Sequence, residues 1–241
     1  MRMSKGTVYS IYFPNVSEDV VTAQRKCVEL FLPADWTFLQ VAHTPKLGDA
    51  FPHAHAMEKC VASNINDLTA FLDIDCIPLS DKAFPFLEKH VIANNNQGLV
   101  GITQRSNHIR NDRHIYVGPS CMAFSKIYYK ELGSPSFIET ERGDVGEELT
   151  YRWTEKSGFL ARAGINPHKY SSNIGFIWPF ACVQPMWDLD FGWKFGFGTT
   201  YGAAGFGPLF YHQFNIRVPE MHQAFVSKCK EVLTQNERIL A

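Results

Sequence analysis

A chain of 241 residues can bury one sizeable core but not two independent ones, and 45% apolar with 20% charged residues is the balance of a globular protein. A net charge of −1 leaves no global footprint for nucleic acid or an anionic membrane. No stretch approaches the roughly 20 apolar residues of a membrane span.

No basic segment followed by an apolar run opens the chain, so the expected location is cytoplasmic, or the host cytoplasm for a viral chain. Its oligomeric state is not legible. The six cysteines are scattered without a Cys-x-x-Cys pair or zinc-like spacing, which predicts reduced, mostly buried thiols.

In chain order, Thr7 to Phe13 is β-branched and aromatic and reads as a strand, broken by Pro14-Asn15, after which Ser17 can cap a helix to about Phe31. Trp36 to Ala42 is a second strand, and His55 to Ala62 is helical. Leu68 to Leu72 is a short apolar strand ending at Asp73, and Pro78 with Ser80-Asp81 starts a helix through about Ile92. Leu99 to Thr103 and Ile115 to Phe124 are strands, Ser125 caps a short helix that stops at Gly133, and Asp144 to Ser157 is a helix followed by a strand at Phe159 to Ile165. Trp178 to Phe210 is dense in glycine and aromatic residues, a composition that predicts a mobile loop or lid rather than a helix. Pro219 to Leu240 is an amphipathic helix with Met221, Phe225, Cys229 and Leu233 on one face. Alternation of strands and helices in the first half is the pattern of a βα sheet protein.

Asp73-Ile74-Asp75 sits at the carboxyl end of a predicted central strand, where open α/β sheets gather ligands. Two carboxylates one residue apart suit Mg²⁺ or Mn²⁺, hard cations that take oxygen ligands and keep positions open for phosphates. The triplet alone is weak, since Asp188-Leu189-Asp190 repeats it. The second copy lies among Trp187, Phe191 and Gly192 with no predicted strand leading into it. A local basic patch is also present in Arg105, His108, Arg110, Arg113 and His114.

The segment Phe71-Leu72-Asp73-Ile74-Asp75-Cys76-Ile77-Pro78 resembles the DxD segment of GT-A glycosyltransferases. Further elements fall in that family's order: Gly118 to Ser125 with Tyr128 and Glu131-Leu132-Gly133, then Asp144-Val145-Gly146-Glu147-Glu148-Leu149, then Tyr211-His212-Gln213 with Arg217. The resemblance covers roughly residues 7 to 217. It implies an α/β fold: one GT-A, Rossmann-like domain over 1–217, its nucleotide-sugar part at about 1–100 and its acceptor part at about 101–217. The sheet would be mixed and mostly parallel, flanked by helices, with the helix of 218–241 packed on the same domain.

The same resemblance implies a nucleoside-diphosphate sugar donor bound through Mn²⁺ or Mg²⁺ at Asp73, Ile74 and Asp75, with His212 completing the metal site. It implies transfer of a hexose or pentose to an acceptor hydroxyl, with inversion. The acceptor would be a glycan, a lipid-linked sugar or a hydroxylated base of viral DNA. The family's second-strand aspartate has no counterpart near Val41-Ala42-His43, which leaves the nucleotide open. The resemblance also implies a base from Asp144, Glu147 or Glu148, since a carboxylate within reach can take the proton from an otherwise poor hydroxyl nucleophile. Asp144 and Glu147 also have capping-box spacing, and Glu148 with Arg152 has that of a helix-surface ion pair. His212 among aromatic residues has the surroundings of a core histidine as well as a ligand's place in the order. His53 and His55 precede a helix and read as loop polarity. A sugar nucleotidyltransferase would carry a glycine-rich phosphate loop after the first strand, and Phe13-Pro14-Asn15-Val16-Ser17 is not one. A non-catalytic binding protein would use the aromatic residues of 178–214 as stacking platforms.

Overall fold

The computed structural model describes residues 5–106, 114–156, 173–189 and 192–240. The strand expected at Phe159 to Ile165 lies outside them, as do His108, Arg110, Arg113 and Asp190.

The fold is α/β. Strands β1 (Gly6–Tyr12), β2 (Trp36–Ala42), β3 (Leu68–Leu72), β4 (Cys76–Pro78), β5 (Leu99–Arg105), β6 (Ile115–Ser125), β7 (Ile174–Asp188), β8 (Lys194–Ala203) and β9 (Gly207–His212) form a nine-stranded sheet in the order β2-β1-β3-β6-β5-β7-β8-β9-β4. Helices α1 (Glu18–Phe31), α2 (Pro52–Ser63), α3 (Ala83–Asn96), α4 (Lys126–Glu131), α5 (Glu147–Lys156) and α6 (Pro219–Leu240) complete the described elements.

The sheet is mixed, as expected; among the described residues parallel pairing joins β2-β1-β3 and β5 with β7, and the other pairs are antiparallel, so parallel pairs are not the majority there. Antiparallel β6 separates the two parallel groups, and β7, β8, β9 and β4 are antiparallel throughout. Every residue of β3 is buried between β1 and β6, which explains why it reads as a continuous apolar run.

The glycine-rich segment is sheet, not lid. Its glycines serve close backbone approach: a Cβ on Gly196 would lie 2.3 Å from the Gln184 carbonyl oxygen, and one on Gly202 would lie 2.5 Å from that of Gly207. The register shifts beside these positions, between Pro185 and Trp187 and between Tyr201 and Gly202, so the glycines mark bulges. For the same reason Asp188 is not loop-borne as expected; β7 leads directly into it.

Helix α6 lies against α1, where Cys27, Phe225 and Cys229 are fully buried. All six cysteines are free, and Cys182 alone among them is not fully buried. Helix α2 begins at Pro52, earlier than predicted, because proline at the first helical position suits an amide that has no partner there. No described helix is long and apolar enough to cross a membrane.

Candidate metal centre and active site

The buried β3 delivers Asp73 to a fixed point, and the turn to β4 is held from several sides. Asp73 N–H donates to the Ser120 carbonyl on β6 (3.0 Å), and Cys76 N–H donates back to the Asp73 carbonyl (2.8 Å). From α1, the fully buried Gln24 donates its Nε2 to the carbonyls of Asp73 (2.7 Å) and Cys76 (3.1 Å). Gln40 Nε2 donates in turn to Gln24 Oε1 (2.9 Å), fixing which way that amide points. Gln213 N–H donates to the Asp75 carbonyl (3.0 Å).

Pairing of β4 with β9 sets Cys76 opposite His212, and this register brings the imidazole to the carboxylates across 137 residues of sequence. His212 Nε2 lies 3.0 Å from Asp75 Oδ1 and 3.9 Å from Asp73 Oδ2. One ligand atom from each of the three residues lies within 4.8 Å of the others. Ligands at about 2.1 Å from an octahedral cation stand about 3 Å apart when adjacent and about 4 Å when opposite. The donor set therefore fits a hard divalent cation with small side-chain movements. Asp188 belongs to no such group among the described residues.

His212 is 2% exposed, and its buried Nδ1 has no hydrogen-bond partner. The ring is oriented by packing instead, with the Phe214 ring centroid at 3.8 Å. Burial raises the Asp73 carboxyl above its ordinary range, opposed by His53, reinforced by Asp75 and opposed by His212. A cation at this place would reverse that balance.

The pair opens onto a cleft of about 300 Å³ lined by Tyr12, Phe13, Val16, His53, Ile74 and Arg217 beside the two carboxylates. Ile74, 8% exposed, is both cleft wall and core, packed in the cluster that holds α1 to α6. His53 approaches more closely than loop polarity requires: its Nε2 is 3.6 Å from Asp73 Oδ1, because the early start of α2 turns it inward. His55 instead meets Asp49 (2.8 Å). Arg217 is exposed and has no partner among the described residues.

Gln24 was invisible in sequence, since nothing local marks an α1 glutamine that acts on residue 73. Gln24→Leu should weaken Mn²⁺ binding about 10- to 100-fold, as loss of outer-shell support does, with Asp73 and Asp75 intact. Isothermal titration with Mn²⁺ checks this, and unchanged affinity would mean the turn holds itself.

The acidic segment forms a second cluster, in which only half of the predicted capping box is made. Glu147 Oε2 accepts the Asp144 N–H (2.8 Å), but Asp144 Oδ1 accepts from Val145 N–H (2.7 Å) rather than from residue 147. The left-handed Gly146 (φ 74°) separates Asp144 from the helix, so α5 starts at Glu147 rather than at Asp144. Glu147 is fully buried and also accepts from Ser106 Oγ (2.8 Å) and meets His114 Nδ1 (2.5 Å). Glu148 takes two hydrogen bonds from Arg142 (2.7 and 2.9 Å) and one from Arg152 (2.8 Å), the expected i,i+4 pair among them. Asp144 is half-buried, and its charge reaches the hydroxyl of Tyr116 on β6. Burial, then the charges of Asp144 and Glu147, raise the Tyr116 hydroxyl well above the ordinary phenol value, so it stays protonated. The same hydroxyl is within electrostatic reach of Asp73, which links the two clusters.

The arginine pair opposes burial and leaves the Glu148 carboxyl below its ordinary value. A depressed folded value stabilises the native state above the unfolded value and is lost as pH falls through the folded one. Glu148→Gln should therefore lower stability at neutral pH by about 2 kcal/mol, because the arginines lose a mostly buried charge partner. Urea unfolding should show this gap closing once the pH falls below the ordinary glutamate range. A gap independent of pH would exclude the ion pair as its source.

Fold and site together give an α/β protein with a carboxylate–imidazole cluster, of a donor set that fits a divalent cation, at the end of a buried strand. No protein-family model and no curated protein sequence matches the chain. Among solved structures it is similar to a mannosyltransferase from Pyrobaculum calidifontis in complex with GDP-Man and Mn²⁺, at 13% identity and a TM-score of 0.47 over 63% of this chain and 52% of that one. The chain thus spans about half the length of that enzyme. It is also similar to a mutant of the Drosophila β1,4-galactosyltransferase 7 with manganese, UDP-Gal and xylobiose, at 11% identity and a TM-score of 0.43 over 88% of this chain and 96% of that one. A third is galactosyltransferase LgtC with donor and acceptor sugar analogs, at 12% identity and a TM-score of 0.36 over 71% and 73%.

Proposed function

We propose that the chain is a metal-dependent GT-A glycosyltransferase that moves a hexose or pentose from a nucleoside-diphosphate sugar to an acceptor hydroxyl, with inversion. The observation that carries it is the Asp73, Asp75 and His212 cluster opening onto a cleft that is also lined by an exposed arginine, Arg217. Anionic cation ligands beside an exposed guanidinium suit a diphosphate, which the metal and the arginine can share.

Mn²⁺ or Mg²⁺ held by these three residues would offset charge on the leaving diphosphate. Arg217 binds a phosphate oxygen, and Tyr12, Phe13 and Val16 supply the apolar wall for the nucleoside. Asp144 takes the proton of the acceptor hydroxyl as its oxygen bonds the anomeric carbon. The bond from that carbon to the diphosphate breaks, and the nucleoside diphosphate leaves with the electron pair. Tyr116 stands within electrostatic reach of the Asp144 carboxylate, and Glu147 holds its backbone. Glu148 is already committed to two arginines, which leaves Asp144 as the base. A sugar nucleotidyltransferase is disfavoured, because Phe13 and Val16 after β1 put side chains, not a glycine-rich loop, against the cleft.

A thermal-shift screen of nucleotide sugars with Mn²⁺, followed by turnover of any that stabilises, tests the proposal. A donor at a hundred times its Kd should add about 2.7 kcal/mol of stability. No stabilisation by any nucleoside-diphosphate sugar in the presence of Mn²⁺ would reject it.

A further inference from the structure

Of the two glutamates that open α5, Glu148 is held by arginines, and Glu147 is the one taken wholly out of water. Burying a carboxylate is unfavourable unless donors surround it, and an uncharged side chain would fill the same place at lower free energy. Here three donors converge. Oε2 accepts from the Asp144 N–H and from Ser106 Oγ, both at 2.8 Å, and Oε1 meets His114 Nδ1 at 2.5 Å. The side chain is folded back over its own turn: a Cβ on Gly143 would lie 3.1 Å from the Cβ, Cγ and Cδ of Glu147.

The donors come from two sides. Ser106 directly follows β5 and His114 directly precedes β6, and the Ser106 N–H donates to the His114 carbonyl (2.7 Å), which joins the two strand ends. The imidazole lies flat on Tyr151 of α5 (4.1 Å between centroids, 10° between planes), and the Arg142 guanidinium stands over the Tyr151 ring at 4.4 Å. Stacking thus fixes the plane in which His114 meets Glu147. From the other side comes Asp144, whose Oδ1 accepts from the Val145 N–H (2.7 Å). Its carboxylate is tied to its own turn, so what holds the turn holds the carboxylate. The Gly146 N–H, donating to the Phe137 carbonyl (2.9 Å), fixes the far end of that turn, and Glu147 fixes the near end at the Asp144 N–H.

We propose that Glu147 is a positioning residue for the base Asp144, and that His114 keeps the Glu147 carboxylate in the place where it does so. The buried pair ties the turn that carries Asp144 to the joined ends of β5 and β6, across 33 residues of sequence. The inference rests on the glycosyltransferase proposal above and on Asp144 as its base. A general base works only while its oxygen stays within hydrogen-bond reach of the acceptor hydroxyl, and a misplacement of about 1 Å can cost about a hundredfold in rate. A capping bond alone would fray with the helix end, whereas a carboxylate also held by Ser106 and His114 shares the rigidity of the sheet. Neither Glu147 nor His114 lines the cleft of Asp73, Asp75 and Arg217, so their effect falls on turnover and not on donor binding.

Amide hydrogen exchange of the whole chain, read by NMR, tests the positioning without reference to the reaction. In His114→Ala the Asp144 amide should exchange about tenfold faster than in the parent, measured against the amides of buried β3, because Glu147 has lost a donor. His114→Asn should restore the protection, since its Nδ2–H stands where the imidazole Nδ1–H does. Asp144 exchange that is unchanged, that rises only in step with β3, or that asparagine fails to restore overturns the proposal. Should His114→Ala not fold, Ser106→Ala withdraws the other side-chain donor and is read in the same way. Turnover of a nucleotide sugar with Mn²⁺ is measured on the same variants, well below their unfolding midpoints. In His114→Ala kcat should fall about ten- to a hundredfold with the donor KM unchanged, and it should return in His114→Asn. A loss confined to KM, or an unchanged kcat beside a loosened Asp144 amide, overturns the positioning role. No turnover by the unsubstituted chain overturns the glycosyltransferase reading instead, while the exchange data still decide whether His114 and Glu147 hold Asp144.

Discussion

Replacing Asp75 by asparagine should lower Mn²⁺-dependent turnover of the nucleotide sugar about a thousandfold, the equivalent of several kcal/mol of transition-state stabilisation from the metal. Asp75 is the more telling member of the pair, because it is 7% exposed and its Oδ1 sits 3.0 Å from His212 Nε2. Asparagine keeps an oxygen there for the imidazole N–H and occupies the same volume, so the buried pocket stays filled and paired. It removes the negative charge a hard cation needs. The unfolding midpoint without metal should stay close to that of the parent, and the increment added by Mn²⁺ should disappear. Retained Mn²⁺-dependent turnover in this variant would refute the metal site. A variant that unfolds without metal would instead mean that Asp75 serves the fold. Alanine is the poorer probe, since it leaves His212 Nε2 as well as Nδ1 without a partner in a dry site and mixes the two effects.

What could be read from the sequence depended on whether a feature is local. The limits of β2, β3 and α6 are legible because apolar spacing and flanking breakers lie within each segment. Asp73 and Asp75 are legible for the same reason, as one short turn carries both. His212 needs the β4–β9 register to reach them, and only its order in the family resemblance pointed there. Gln24 and Tyr116 act across the fold on backbone and carboxylate groups, and they leave no pattern near themselves. The β7–β9 region is not legible as sheet, because glycine at a bulge and glycine in a mobile loop look alike until a facing backbone shows why a Cβ would not fit. His53 looks like a loop residue in sequence because α2 starts at a proline with no polar cap before it, so the usual start signal is missing. The left-handed backbone at Phe214 contradicts the residue's own preference, and tertiary packing alone can impose that.

Asp144→Asn should reduce sugar transfer between about a hundredfold and ten-thousandfold, the range a positioned general base contributes. The substitution is conservative toward structure: asparagine offers an oxygen to the Val145 N–H as aspartate does, and the Asp144 N–H still meets Glu147. Donor affinity measured by calorimetry with Mn²⁺ should persist, because Asp144 does not line the cleft that holds Asp73, Asp75 and Arg217. Tyr116→Phe refines the test. Removing the hydroxyl that the Asp144 charge reaches should shift the acidic limb of the rate profile. A structural tyrosine would lower the rate equally at every pH. Proton NMR of the product anomer then settles stereochemistry, since a base that activates the acceptor opposite the leaving diphosphate gives inversion. A retained anomer would require the nucleophile or its surrogate to stand on the donor's other face, and Asp144 would lose its role.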